Sequence, residues 1–282
     1  MDLIGAAIWA VFLIALVVSV VARVRGRTTL GFDVRRPGLG LEIGCGLLIV
    51  TVAMSLLFAA LVAAGGTEVV SVTVRGDVLW HGFTAFLSWA VLEEIVSRMG
   101  LLIALLVLTG RPWVALAVSS ALFGAMHLAD GDGSVLGAVS STVGGLMYGL
   151  ALLRTGRLWM PIAMHFAWNF VQGTLLGYPV SGEHRLGVPF LAEHDVIGGL
   201  LTLRDHGPDL LTGGAYGPEA GPLSLAARFL IIAGVLFATR TIQRHRTLLR
   251  SAAPARRRAG LPSAVAGGPP SGDPDRQTGA VA

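Results

Sequence analysis

The chain has 282 residues, 54% of them apolar and 13% charged, with a net charge of +4 and every one of its 21 basic residues an arginine. A mean hydropathy of +0.71 excludes an ordinary soluble domain. The arginines cluster beside apolar runs rather than on a basic face interleaved with aromatics, which argues against nucleic-acid binding.

The first uncharged run, Leu3 to Ala22, is long enough for a helix to span roughly 30 Å of hydrocarbon. No basic region precedes it and Arg23, Arg25 and Arg27 follow it, so it reads as a retained span rather than a signal peptide. A second run covers 41–64 and contains Cys45, the only cysteine, which rules out an internal disulfide and reads as a small packing residue. The run 79–109 exceeds one membrane thickness and holds the sequence AVLEEIVSRMG, so a kink or break is expected near Arg98 to Gly100. Further runs at 113–129, 134–153, 158–177 and 223–239 bring the expected spans to seven.

The expected fold is therefore all-α, a polytopic transmembrane bundle of about seven to eight helices. Its parts would be a two-span hairpin with loops (1–78), a core (79–177), a polar loop (178–222), a last span (223–240) and a basic, disordered tail (241–282). Arg23 to Arg36, Arg111, Arg154, Arg157 and the arginines from Arg240 onward all fall on one side. This predicts a multi-pass cell-membrane protein with that side and the C-terminus cytoplasmic, and 178–222 outside. Smaller features read as structural. Asp130 to Gly133 (DGDG) form a tight turn, and Gly145 and Gly149 allow close helix packing. His184, His194 and His206 are solvated loop residues, while Trp80, Trp113 and Trp159 are interfacial anchors.

A charge at mid-bilayer costs a few kcal/mol, so such residues face the bundle interior and pair. Glu94 and Arg98 stand i, i+4 and suit a salt bridge, which leaves Glu93 about 100° round the helix without a local partner. Two more spans carry polar groups at helical spacing, with Phe123 and His127 sharing one face and His165 and Asn169 another. Counting from span ends puts Glu93 and His127 near mid-depth and His165 and Asn169 nearer the cytoplasmic half. No serine elbow and no HExxH motif occurs, so a carboxylate and an imidazole that activate water remain, with an imidazole and an amide to donate to an oxyanion.

The motifs EExxxR (Glu93, Glu94, Arg98), FxxxH (Phe123, His127) and HxxxN (His165, Asn169), in this order on successive spans, resemble the CAAX protease and bacteriocin-processing (Abi) family of intramembrane glutamic endopeptidases. The run LRTGRLWMPIAMHFAWNF is especially similar to the family's approach to its last motif, and the resemblance covers roughly 80–177. It implies a peptidase in which Glu93 activates water with His127 as partner. His165 and Asn169 would form the oxyanion hole, and Glu94 and Arg98 would be supporting residues. It implies no cofactor, with zinc on Glu93, His127 and His165 as the minority option. The implied partners are the lipid bilayer and a membrane-associated protein or peptide substrate. Prenylated substrates belong to only some relatives. Ser97 and Met99 depart from the family's aromatic and glycine beside the motif arginine. Two alternatives from other classes are a non-catalytic immunity or scaffold protein and a small proton-coupled transporter.

Overall fold

The computed structural model describes residues 3–26, 31–35, 37–130, 132–189 and 191–258, with side chains described only from Ala10 to Ile242. Residues 1–242 form one unit and 243–282 a second, of which the described part is helix through Arg258.

The chain is mainly helical. The helices are α1 (Leu3–Val24), α2 (Leu39–Ala63), α3 (Gly76–Glu94), α4 (Ile103–Thr109), α5 (Pro112–Met126), α6 (Val135–Thr155), α7 (Trp159–Asn169), the short α8 (Asp209–Thr212) and α9 (Pro222–Arg258). Their ends follow local chemistry. Gly110, at φ 65°, takes the left-handed conformation that stops α4, Arg111 is extended, and Pro112 sits in the first turn of α5, where its missing N–H costs nothing. Ser134 caps α6 by accepting from the Gly137 amide.

Against the seven expected spans, four helices among the described residues are long and apolar enough to cross a membrane: Leu39–Ala63, Pro112–Ala129, Val135–Thr155 and Pro222–Ile242. The first run forms α1, of which the part with described side chains, Ala10–Val24, is apolar and uncharged up to Arg23. The two runs that hold the glutamates and the HxxxN motif are each divided between an α and a π stretch. The kink expected near Arg98 is instead a stretch of π-helix, Ile95–Leu102, joining α3 to α4. There Ser19 Oγ of α1 donates to the Gly100 carbonyl at 2.7 Å. A second π stretch, Phe170–Leu175, follows α7.

The all-α expectation misses two small antiparallel sheets. Strand β1 (Thr67–Val72) pairs with β4 (Leu201–Asp205), and β2 (Arg185–Leu186) pairs with β3 (His194–Asp195). The loops at 65–78 and 178–222 are thus one structure, helped by Tyr178, whose hydroxyl bonds Thr67 Oγ1 at 3.0 Å. At the opposite end the arginine-bearing turns meet. Arg157 donates to both carboxylate oxygens of Glu42, at 2.9 and 2.7 Å, and to the carbonyls of Asp33 and Pro37. Arg157 is therefore a fully buried ion-pair member rather than a solvated loop charge. Trp159 likewise packs edge-on against Phe32, whereas Trp80 and Trp113 are exposed as anchors would be. His184, His194 and His206 are exposed, as expected of loop histidines, with His206 paired to Glu68 and His194 stacked on His81.

The core joins α2, α6, α7 and α9 through Met54, Leu61, Met147, Met164, Ile231 and Val235. Against it, α5 packs on α6 so closely that a Cβ on Gly145 would stand 2.8 Å from Ser120 Cα. Helix α9 runs past residue 240, where the last span was expected to end, and 259–282 of the tail lie outside the described residues.

Candidate active site

Glu93 and Glu94 are the last residues of α3, and a π stretch begins directly after them. His165 and Asn169 close α7, and the second π stretch begins directly after Asn169. Phe123 and His127 end α5, where the helix tightens into a single 3₁₀ turn, His127–Ala129. Each motif thus lies where regular helix geometry gives way, which re-aims side chains relative to the preceding turns.

Glu94 is fully buried. Its Oε1 lies 3.2 Å from Arg98 Nη1 and 2.9 Å from His165 Nδ1. The buried pair read from the i, i+4 spacing is present, and Arg98 is sandwiched between Phe123 and Tyr148, its Cζ 4.2 and 5.0 Å from the ring centroids. Ser97 and Met99, the two departures beside it, are both buried. Tyr148 also stacks on His165, at 4.8 Å between centroids and 15° between planes, so the imidazole is fixed by a carboxylate on its edge and a ring on its face.

Glu93 is partly exposed, and its Oε2 stands 3.8 Å from His165 Nε2. The His127 ring is set by a 2.8 Å hydrogen bond between Nδ1 and the Phe123 carbonyl, which makes Nδ1 the protonated nitrogen and leaves Nε2 free of that bond. Among the described residues no hydrogen bond joins Glu93 to His127, and the imidazole in contact with Glu93 is that of His165. Nevertheless Glu93, His127, His165 and Asn169 line one cavity of about 40 Å³, space for a few waters. The wall facing them includes Ser181, Glu219 and Arg228. His165 and Asn169 share this cavity with Ser181 and Glu219 of the 178–222 segment.

Sequence reasoning missed Glu219 and Arg228. Both are buried, their closest polar atoms are 3.7 Å apart, and neither has a motif partner at helical spacing that would have flagged it. It also read Asp130 as a turn residue only. Gly133 N does bond its carbonyl, but the Asp130 side chain accepts from the Tyr216 hydroxyl at 3.2 Å. Burial pushes the Asp130 carboxyl up to about 6, against the opposing pull of His127 and of the Tyr216 hydrogen bond.

Among the described residues no group of three or more His, Cys, Asp or Glu is placed to hold a metal ion, so Glu93, His127 and His165 do not form one.

Apolar helices lining a small, partly open, charged cavity define a helical protein of membrane type with a polar site between its helices. Residues 75–171 match the family model described as type II CAAX prenyl endopeptidase Rce1-like, so this segment carries an Rce1-like domain, as the three motifs indicated. The family is one of proteases. The match leaves α1, α2, the 178–222 segment and α9 outside it. No curated protein and no solved structure matches the chain significantly.

Proposed function

We propose that the chain is an intramembrane endopeptidase that hydrolyses a peptide bond of a membrane-associated protein or peptide. The observation that carries this reading is the convergence of Glu93, His127, His165 and Asn169 on one cavity. Glu93 takes a proton from a water there, with His127 as its partner, as the water oxygen attacks the scissile carbonyl. The tetrahedral oxyanion receives hydrogen bonds from His165 and Asn169, and the proton held by Glu93 passes to the departing amine. Glu94 and Arg98 support this set, Glu94 by orienting the His165 ring. No metal or cofactor enters these steps.

One contact favours a second assignment of His165. With Nδ1–H donating to Glu94, Nε2 donates into the cavity only if the ring carries both protons. The neutral tautomer instead presents an acceptor at Nε2, the arrangement of a base oriented by a carboxylate. In that case Glu94 and His165 form the base and Glu93 assists.

For placement, we propose a multi-pass cell-membrane protein with the arginine-rich end and the C-terminus cytoplasmic. Support comes from the meeting of the 31–42 and 154–158 turns at one end of the bundle.

Reconstitution into liposomes with membrane-anchored peptides in H₂¹⁸O tests the function. A hydrolase releases a fragment whose new C-terminal carboxylate carries one ¹⁸O. A scaffold, an immunity protein or a transporter releases none.

A further inference from the structure

Outside the Rce1-like segment, one buried charged cluster faces the same cavity from the far side. Glu219 Oε1 accepts from the Trp168 indole Nε1, while Oε2 accepts from the Ser181 amide at 2.9 Å and the Ser181 hydroxyl at 3.1 Å. Arg228 of α9 brings Nη2 to 3.7 Å from Glu219 Oε1 and lays its guanidinium over the Trp168 ring, 4.0 Å from the centroid. Its Nε donates to Ser140 Oγ of α6 at 2.9 Å. Space for the guanidinium exists because Gly144 has no side chain, since a Cβ there would lie 2.2 Å from Arg228 Nη1.

Trp168 precedes Asn169 and follows His165 by three residues, so the three side chains leave α7 on neighbouring faces. Two carboxylates therefore grip α7 from two directions, Glu94 through His165 and Glu219 through Trp168. This fixes the rotation of the helix end just where it loosens into the π stretch 170–175. We infer that Glu219 is a positioning residue of the site, acting through Trp168 to hold Asn169 and His165 on the cavity, with Arg228 clamping the indole from above. The inference deepens the endopeptidase reading and rests on it for its kinetic arm. It assigns part of the site to a segment that the family match does not reach.

Among the described residues, the hydrogen-bond partners of Glu219 are all donors. A glutamine there is isosteric but has one acceptor atom, so its amide must face either the Trp168 or the Ser181 donor. Glu219→Gln and Trp168→Phe are each expected to lower kcat about tenfold with KM within twofold of wild type, since a displaced catalytic group costs rate rather than binding. The double variant is expected to be no slower than the worse single one. The reading is overturned by Glu219→Gln retaining wild-type kcat, or by losses that multiply in the double variant. A tie that merely fastens the loop would lower the melting temperature and leave kcat of the folded protein unchanged, which also contradicts it. A second arm needs no turnover. In 5-fluorotryptophan-labelled protein, the ¹⁹F resonance of Trp168, identified by its loss in Trp168→Phe, is expected to shift in Glu219→Gln. An unmoved resonance refutes the contact whatever the activity. Absence of all peptidase activity in the wild type, with that resonance shifted, instead refutes the endopeptidase reading alone.

Discussion

Glu94 and His165 are joined across the bundle by a 2.9 Å contact between Oε1 and Nδ1, and the same oxygen faces Arg98 at 3.2 Å. One buried carboxylate therefore serves both the ion pair and the orientation of a ring in the candidate site. Among the described residues, Glu94 is the only anion paired with Arg98. Glu94→Ala should lower unfolding stability in detergent by about 3 kcal/mol, because it leaves the guanidinium buried without a counter-charge. Glu94→Leu combined with Arg98→Met should cost clearly less than the sum of the two single changes, read from denaturant titrations of all three variants.

A pair at i, i+4 is legible because helix geometry alone puts its members together, and the cavity-lining motif residues were legible for the same reason. Glu42 and Arg157, or Glu219 and Arg228, were not. Their partners lie on different segments, and only the packing of α2 on α7 or the return of the 178–222 segment brings them into contact. The β1–β4 sheet escaped for a related reason. Strand β1 exposes nearly all its side chains, so no alternation of apolar and polar residues marks it. The length of the 79–109 run, beyond one membrane thickness, signalled an irregularity, but not whether the helix breaks or widens beside α1, whose Ser19 bonds the Gly100 carbonyl.

Asp130 makes stability depend on pH. Its folded pKa, about 6, lies above the ordinary 3.8, so protons bind the folded form more tightly. The stabilisation is complete below about pH 3.8 and is lost as the pH rises through about 6. Wild type should therefore melt higher at pH 5 than at pH 7.5, by no more than about 2 kcal/mol given the partial exposure. Asp130→Asn should flatten this difference and be the more stable protein at pH 7.5. Glu68, held below its usual range by His206, acts with the opposite sign but only at more acid pH, outside this interval.

The α5–α6 contact separates two glycines that look equivalent in sequence. A methyl at Gly145 meets the Ser120 backbone at 2.8 Å, whereas one at Gly149 meets the terminal methyls of Leu116 and Leu102, at 2.5 and 2.9 Å. Backbone cannot yield as side-chain ends can. Gly145→Ala should cost about 2 kcal/mol in an unfolding titration and Gly149→Ala less.

The two assignments of His165 differ in what a substitute must supply. A glutamine amide donates hydrogen bonds but takes no proton at neutral pH. If His165 stabilises the oxyanion, His165→Gln should keep at least about tenfold more kcat than His165→Ala. If it is the base, both should be equally inactive.

In the proposed mechanism Glu93, partly exposed at the cavity and 3.8 Å from His165, is the carboxylate that activates water. The most direct measurement is the single-turnover cleavage rate of a membrane-anchored peptide by purified wild type and Glu93→Gln, with melting temperatures taken on the same samples. The variant is expected to cleave at least about 10²-fold more slowly, with a melting temperature within a few degrees of wild type. Cleavage by folded Glu93→Gln at the wild-type rate would contradict it.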